Sequence, residues 1–379
     1  MKIQLLRPHI HQDAKDEVLK VLDSGWVGLG PKVAEFEDEC KKIIRCRHAV
    51  AFNSATAALQ AAVTIADLEV GTHVITTPNT FVSTNHVILQ NGNRPLFADI
   101  EGDTGNISVP SIKRLLVNKS FRDDISALMV VHYQGQPVDL DEIYDLGLPV
   151  IEDAAHAFGA SYKDRMIGER GRYVCFSFHA VKPLGIGDGG LLATDSADVA
   201  ETARRLRWLG IDKSTTDRHK QGGYKWDYNV TEVGFKSHMN DIQAAIGVGQ
   251  IKHFKEDKRK REVLVTLYRL NLEDVKVAKP LRMKGDRESA NHLMVILAED
   301  PRAKAGIIEN LVAADIEYGC HYKPNTSYPV YNGYYQDQGN INMMFFYNTA
   351  ITLPLHTEMS IGDVMRVCEV VGKEQLYYS

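Results

Sequence analysis

"CFSFHAVKPLGIGDGG", residues 175–190, is the stretch on which the fold turns. It begins as an apolar run, ends as a glycine-rich turn, and carries Lys182 between the two. Extended backwards to "YVCFSFH" (173–179) the run reads as a buried strand, and "GGLLATD" (189–195) reads as the next. Neither GxGxxG nor GxxxxGK[ST] is present, and the glycines follow the lysine. They therefore read as the turn between two strands, not as a phosphate loop. A lysine in a loop is ordinarily a solvated charge. Its other reading is an amine made nucleophilic by burial and by its neighbours.

Working outward, "HAVAFNS" (48–54), "HVITTP" (73–78), "RPLFADI" (94–100), "ISALMVVHY" (125–133) and "LPVIED" (148–153) read as further strands. "SATAALQAAVTIADL" (54–68) and "FVSTNHVILQNG" (81–92) read as helices between them. Strand–helix alternation with continuously apolar strands predicts an α/β domain, its mainly parallel sheet covered on both faces. The character changes near Gln250. "IKHFKEDKRKREVLVTLYRLNL" (251–272) reads as one long charged helix, "HLMVILA" (292–298) and "YGCHYKP" (318–324) as strands, and "IGDVMRVCEVVGKEQLY" (361–377) as a terminal helix. The expected organisation is a large α/β domain over 1–250 and a smaller α+β domain over 251–379.

Composition narrows the function classes. The 379 residues are 44% apolar and 25% charged with a formal net charge of −5, so no general basic field awaits nucleic acid or an anionic membrane. Five scattered cysteines without a CxxC pair suggest neither a disulfide framework nor a metal site. The first residues lack the apolar core of a signal peptide, and no run approaches a membrane span. A reduced, cytoplasmic protein is expected.

In open parallel sheets ligands gather beyond the carboxyl ends of the strands. Four features fall there. "FNSATAAL" (52–59) leaves a strand and enters a helix that Asn53 or Ser54 can cap, with amides near Ala55 and Thr56 free to meet an anion. "LPVIEDAAHAFGA" (148–160) sets Asp153 at a strand end and His156 three residues later; each also reads as a helix cap or a satisfied histidine. Phe81, in "NTFVSTN" (79–85), is either core or an apolar face for a flat ring. Lys182 is the fourth.

Taken in order, these stretches resemble the DegT/DnrJ/EryC1/StrS aminotransferases, a pyridoxal-phosphate group of the fold-type I aspartate aminotransferase superfamily. The likeness runs from "LDSGWVGLGPKVAEFEDEC" (22–40) through "VHYQGQPVDLDEI" (131–143), "IEDAAHAFGA" (151–160) and the opening stretch. It continues through "VGFKSHMNDIQAAIG" (233–247) and "GCHYKPNTSYPVY" (319–331) to "TLPLHTEMS" (352–360). The resemblance implies that Lys182 holds pyridoxal 5'-phosphate covalently and shuttles the proton. It implies that Asp153 pairs with the pyridine nitrogen, that His156 lies near the ring hydroxyl, and that Phe81 stacks on the ring. Ser54, Ala55, Thr56 and Ser177 then match the phosphate cup. Many relatives read "GYNYRM" or "GYKYNM" where this chain has "GFKSHM" (234–239), and an asparagine there reaches the phosphate of the partner subunit. Lys236 and His238 hold the matching positions, and a homodimer with active sites at the subunit interface is implied.

The expected reaction is transfer of an amino group from an amino acid, by family expectation L-glutamate, through pyridoxamine 5'-phosphate to the keto group of a nucleotide-linked deoxysugar. The polar stretch 212–229, with Lys213, Arg218, Lys220 and Lys225, is a candidate for the sugar's diphosphate or a plain surface loop. A sugar dehydratase of the same fold and a non-catalytic regulatory member are the alternatives. The former replaces or lacks the lysine, which stands here at residue 182, although His179 lies nearby.

Overall fold

The computed structural model describes residues 2–212 and 228–373. Its main sheet is built from β1 (His48–Phe52), β2 (His73–Thr76), β3 (Arg94–Phe97), β4 (Ile125–Val131) and β5 (Val150–Asp153). A small hairpin, β6 (Ser161–Tyr162) and β7 (Arg165–Met166), interrupts the sequence before β8 (Tyr173–Ser177) and β9 (Gly190–Thr194) complete the sheet. The seven strands lie in the order β1-β9-β8-β5-β4-β2-β3. Neighbours from β8 to β3 are parallel, while β9 runs antiparallel to both β8 and β1.

The continuous apolar strands follow from burial on both faces. Ala49, Ala51, Leu128, Val130, Val174 and Phe176 belong to one core cluster, while Val50, Phe52, Ala127, Met129, Tyr173 and Cys175 belong to the other. Period-two alternation thus sends consecutive apolar residues into two different cores. On one side, helices Gln12–Ser24 and Pro31–Ile44 pack on helix Asp241–Ile251. Small residues make that approach close: a Cβ on Gly249 would lie 2.2 Å from the Cα of Ala14, and one on Gly247 would lie 2.4 Å from the Phe36 ring. The Asp241 carboxylate accepts from the amides of Gly30, Lys32 and Val33, so one side chain caps the neighbouring helix.

After the main sheet the chain adds β10 (Ala278–Pro280), β11 (Arg287–Glu288), β12 (Met294–Ala298) and β13 (Ala350–Leu353). The antiparallel order β10-β12-β13 carries a separate core with Leu264, Tyr268, Ile296, Leu311, Ile351 and Val364. Helices Phe254–Asn271, Pro301–Ala313 and Ile361–Val371 supply its other wall. Ile3 joins this second core, and β11 pairs with β6 of the hairpin. Among the described residues no helix is long and apolar enough to cross a membrane.

Two expectations are corrected. The helix expected over 251–272 starts at Phe254; Ile251 ends the preceding helix, and His253 lies between them with its amide bonded to the Gln250 carbonyl. Residues 318–324 form no strand beyond a two-bond bridge between Gly319 and Thr352. Their other main-chain groups bond outside any sheet: the Tyr322 amide donates to Asn79 Oδ1, and the Tyr133 hydroxyl donates to the His321 carbonyl. The segment is thereby drawn over the carboxyl ends of the strands.

Candidate active site

The turn after β8 is closed by its own main chain. Ala180 donates to the Gly187 carbonyl at 2.7 Å, Ile186 to Phe178 at 2.9 Å and Phe178 to Gly189 at 2.9 Å. Gly187 has φ +97°, a left-handed conformation that favours glycine, and a Cβ on Gly185 would lie 2.2 Å from the Ala180 carbonyl oxygen. The glycines of the opening stretch thus shape the loop that carries Lys182.

Lys182 enters a cavity of about 330 Å³ at the ends of β1, β4, β5 and β8. It keeps partial exposure through the mouth, yet loss of water around its ammonium lowers its pKa to about 8, with the Asp153 charge opposing. Its Nζ lies 3.4 Å from His292 Nε2.

Asp153 ends β5 and is buried. Its Oδ2 accepts from the Thr84 hydroxyl at 2.6 Å and its Oδ1 from the Ala155 amide at 3.0 Å. Burial pushes its carboxyl pKa up, while those two donors, Lys182 and His132 oppose the rise. His156 is buried, with Nε2 paired to the Tyr322 hydroxyl at 3.0 Å and no partner for Nδ1. Desolvation, then the nearby Lys182 and His321, hold its pKa well below the ordinary value, so the ring is neutral.

At the end of β1, Ser54 is the N-cap of helix Ala55–Ile65 and its Oγ accepts from the Ala57 amide at 3.2 Å. The first intrahelical bond runs from Ala58 to the Ser54 carbonyl, so the Ala55 and Thr56 amides at this helix start remain for a ligand. Ser54, Ala55, Thr56 and the buried Ser177 all line the cavity. Phe81, 59% exposed, precedes helix Val82–Gln90 and forms part of the rim, 6.3 Å from the Tyr322 ring.

Lys236 and His238 do not line the cavity of their own chain. The Lys236 ammonium stands 3.4 Å above the Trp208 ring centroid, and the His238 ring meets the same indole edge-on at 4.3 Å. His238 Nδ1 is buried without a partner, and burial lowers its pKa to about 4. Lys213, Arg218, Lys220 and Lys225 lie outside the described residues.

Several cavity residues escaped the sequence reading: Thr80, Asp188, His292, His321 and Tyr322 line it, and Thr84 bonds Asp153 from behind. A threonine one helical turn beyond Phe81 was an available signal. His292 carries none, standing at the head of an apolar strand.

The family model for the DegT/DnrJ/EryC1/StrS aminotransferase family matches residues 8–372. The spore coat polysaccharide biosynthesis protein SpsC of Bacillus subtilis is 35% identical over 374 residues, covering 96% of this chain and 95% of its own. Helicobacter pylori PseC, an aminotransferase of pseudoaminic acid biosynthesis, superposes with a TM-score of 0.87 at 28% identity over 98% of both chains. The sugar aminotransferase Spr1654 of Streptococcus pneumoniae, solved in its PMP form and its PLP form, gives a TM-score of 0.89 at 25% identity. In the PMP form the match covers 97% of this chain and 98% of that one.

Proposed function

The chain belongs to the DegT/DnrJ/EryC1/StrS aminotransferase family, and from that premise we propose that it is a pyridoxal-phosphate-dependent aminotransferase carrying an amino group from L-glutamate to the keto group of a nucleotide-linked deoxysugar. The residues present fit that cofactor. A cation of lowered pKa, a buried carboxylate and an amide-lined helix start face one cavity, and His156 Nδ1 there is a buried polar atom awaiting a partner. This convergence is the observation that carries the reading.

Bound pyridoxal phosphate supplies an electron-withdrawing ring that makes the carbon bearing the amine acidic. The protein's part is positioning and proton handling. The Ala55 and Thr56 amides, with the Ser54 and Ser177 hydroxyls, would hold the phosphate at the positive end of the helix. Asp153, fixed by Thr84 and Ala155, would hold the ring nitrogen and favour its protonated form. Phe81 would offer an apolar face for the ring, and His156, whose Nδ1 is unpartnered, a polar group beside it. Lys182 would supply the covalent attachment, and its free Nζ, with a pKa lowered to about 8, would take a proton from one carbon and return it to another.

The active unit is a homodimer in this proposal, with Lys236 or His238 completing the phosphate site of the partner subunit. A cofactor domain over 1–250 and a smaller one over 251–379 belong to the same reading, supported by the separate core around Ile296. So does a cytoplasmic location, supported by free, mostly buried thiols.

The purified protein should be yellow, and borohydride should fix the cofactor to Lys182. Lys182→Ala should abolish fixation and turnover. A colourless wild type that takes up no pyridoxal phosphate would sink the proposal. Glutamate-dependent appearance of 2-oxoglutarate with a panel of keto-sugar nucleotides then tests donor and acceptor. Loss of a hydroxyl without net amination would instead identify a dehydratase.

A further inference from the structure

His292 reaches the cavity from outside the main sheet. It follows β11, and its position is fixed by main-chain bonds to the turn after β4. Ala290 donates to the Gly135 carbonyl and His292 to the Gln134 carbonyl, both at 3.1 Å. The two segments fit closely: Gln134 and Asn291 both have left-handed backbones, at φ 52° and φ 50°. A Cβ on Gly135 would meet the His156 carbonyl oxygen at 2.8 Å and the Ala290 amide nitrogen at 3.2 Å. The side chain so delivered is 2% exposed. Its Nε2 is 3.4 Å from Lys182 Nζ, its ring centroid is 4.4 Å from that of His156, and its Nδ1 has no partner.

We propose that His292 is a positioning residue for Lys182, its Nε2 accepting a hydrogen bond from the free amine and holding Nζ in the orientation from which it attacks and transfers protons. This rests on the reading of Lys182 as the cofactor's covalent anchor. Among the described residues, His292 Nε2 is the acceptor that stands within hydrogen-bond distance of Lys182 Nζ. Asp153 is engaged by Thr84 and Ala155, and His156 Nε2 by Tyr322; His321 Nδ1 pairs with the Thr352 hydroxyl at 2.9 Å. Desolvation, followed by the Lys182 charge, keeps His292 neutral, so one ring nitrogen is free to accept. The proton then sits on Nδ1, the tautomer that leaves Nε2 open towards the amine.

Two polar replacements separate the acceptor from mere filling. Gln places an amide oxygen where Nε2 stands, whereas Asn is one methylene shorter and reaches only the place of Nδ1. Full-length apoprotein is mixed with pyridoxal phosphate, and covalent attachment is followed by visible absorbance across pH. Borohydride trapping and mass mapping then confirm the modified lysine. An acceptor that favours the ammonium holds the midpoint up. His292→Asn should therefore lower the midpoint of the attachment rate by about one pH unit and slow attachment roughly tenfold at saturating pH. His292→Gln should stay within about a factor of three of wild type. Equal behaviour of the Asn and Gln variants, whether both normal or both impaired, overturns the proposal. A wild type that borohydride fails to label at Lys182 overturns instead the underlying assignment of the lysine.

Discussion

Gly190 opens β9 against the first turn of helix Ala55–Ile65. A Cβ there would lie 2.2 Å from the Ser54 carbonyl oxygen and 2.5 Å from the Ala55 amide nitrogen. Both are main-chain atoms of the proposed phosphate seat, so no rotamer change relieves the overlap. Non-bonded atoms sit comfortably only near about 3.5 Å, so Gly190→Ala must part strand and helix by ~1 Å. Overpacking of this kind costs about 1–3 kcal/mol of stability. A binding group misplaced by ~1 Å can cost up to about 10²-fold. We expect at least a tenfold loss of cofactor affinity, about 1.4 kcal/mol, read by equilibrium titration of apoprotein with pyridoxal phosphate. The cofactor-free melting temperature should fall by roughly 1 °C per kcal/mol. Gly147→Ala is the control: Gly147 has φ +73° with nothing within 4 Å of an added Cβ, away from the cavity. It should lose about 1–2 kcal/mol to left-handed strain and nothing in cofactor affinity. Unchanged affinity in Gly190→Ala, or affinity losses in both variants that simply track stability, would refute the placement of the phosphate seat.

Asp153→Asn keeps the shape of a buried side chain but removes its charge, and should lower kcat by about 10²–10³-fold in steady-state assays while the protein still folds. The neutral amine is the reactive form and the Lys182 pKa is lowered to about 8. The rate of cofactor attachment to wild-type apoprotein should therefore rise with pH and flatten above about 8; a tenfold rise per unit continuing to pH 10 contradicts the burial seen here. Glu37 Oε1 accepts from Arg207 Nη1 at 2.5 Å and from the Ala51 amide at 2.8 Å in the interior. Glu37→Ala leaves that guanidinium uncompensated and should cost about 3–5 kcal/mol by urea denaturation.

The sheet was legible because each of its strands is an apolar run bounded by turn residues, and a strand buried on both faces needs nothing else to declare itself. Asp153 closes β5 and Lys182 lies in the turn between β8 and β9, so the strand that delivers each of them was legible. The reversed direction of β9 had no such mark, since a buried antiparallel strand has the same composition as a parallel one. Tyr322 and His321 were misplaced because "YGCHYKP" has strand-like composition, while its main-chain partners, Asn79 and Tyr133, lie some 240 and 190 residues away in sequence. His292 depends on two hydrogen bonds to Gln134 and Gly135, and such long-range pairing leaves no local pattern to read.

What those distant residues add is a constraint on charge. His156, His292 and His321 surround Lys182, and burial lowers the pKa of each. Were His292 protonated beside the ammonium, two cations would face each other across 3.4 Å, a repulsion of about 5 kcal/mol even at an effective dielectric of about 20. Lys182 and His292 therefore carry at most one proton beyond the neutral pair at physiological pH, and they titrate as a pair. Asp153 is the neighbouring charge that favours the ammonium. Its removal in Asp153→Asn must therefore move the midpoint of cofactor attachment below that of wild type. If the midpoint instead stays in place, Asp153 is too well screened by Thr84 and Ala155 to reach the amine, and burial and His292 set the lysine's pKa without it.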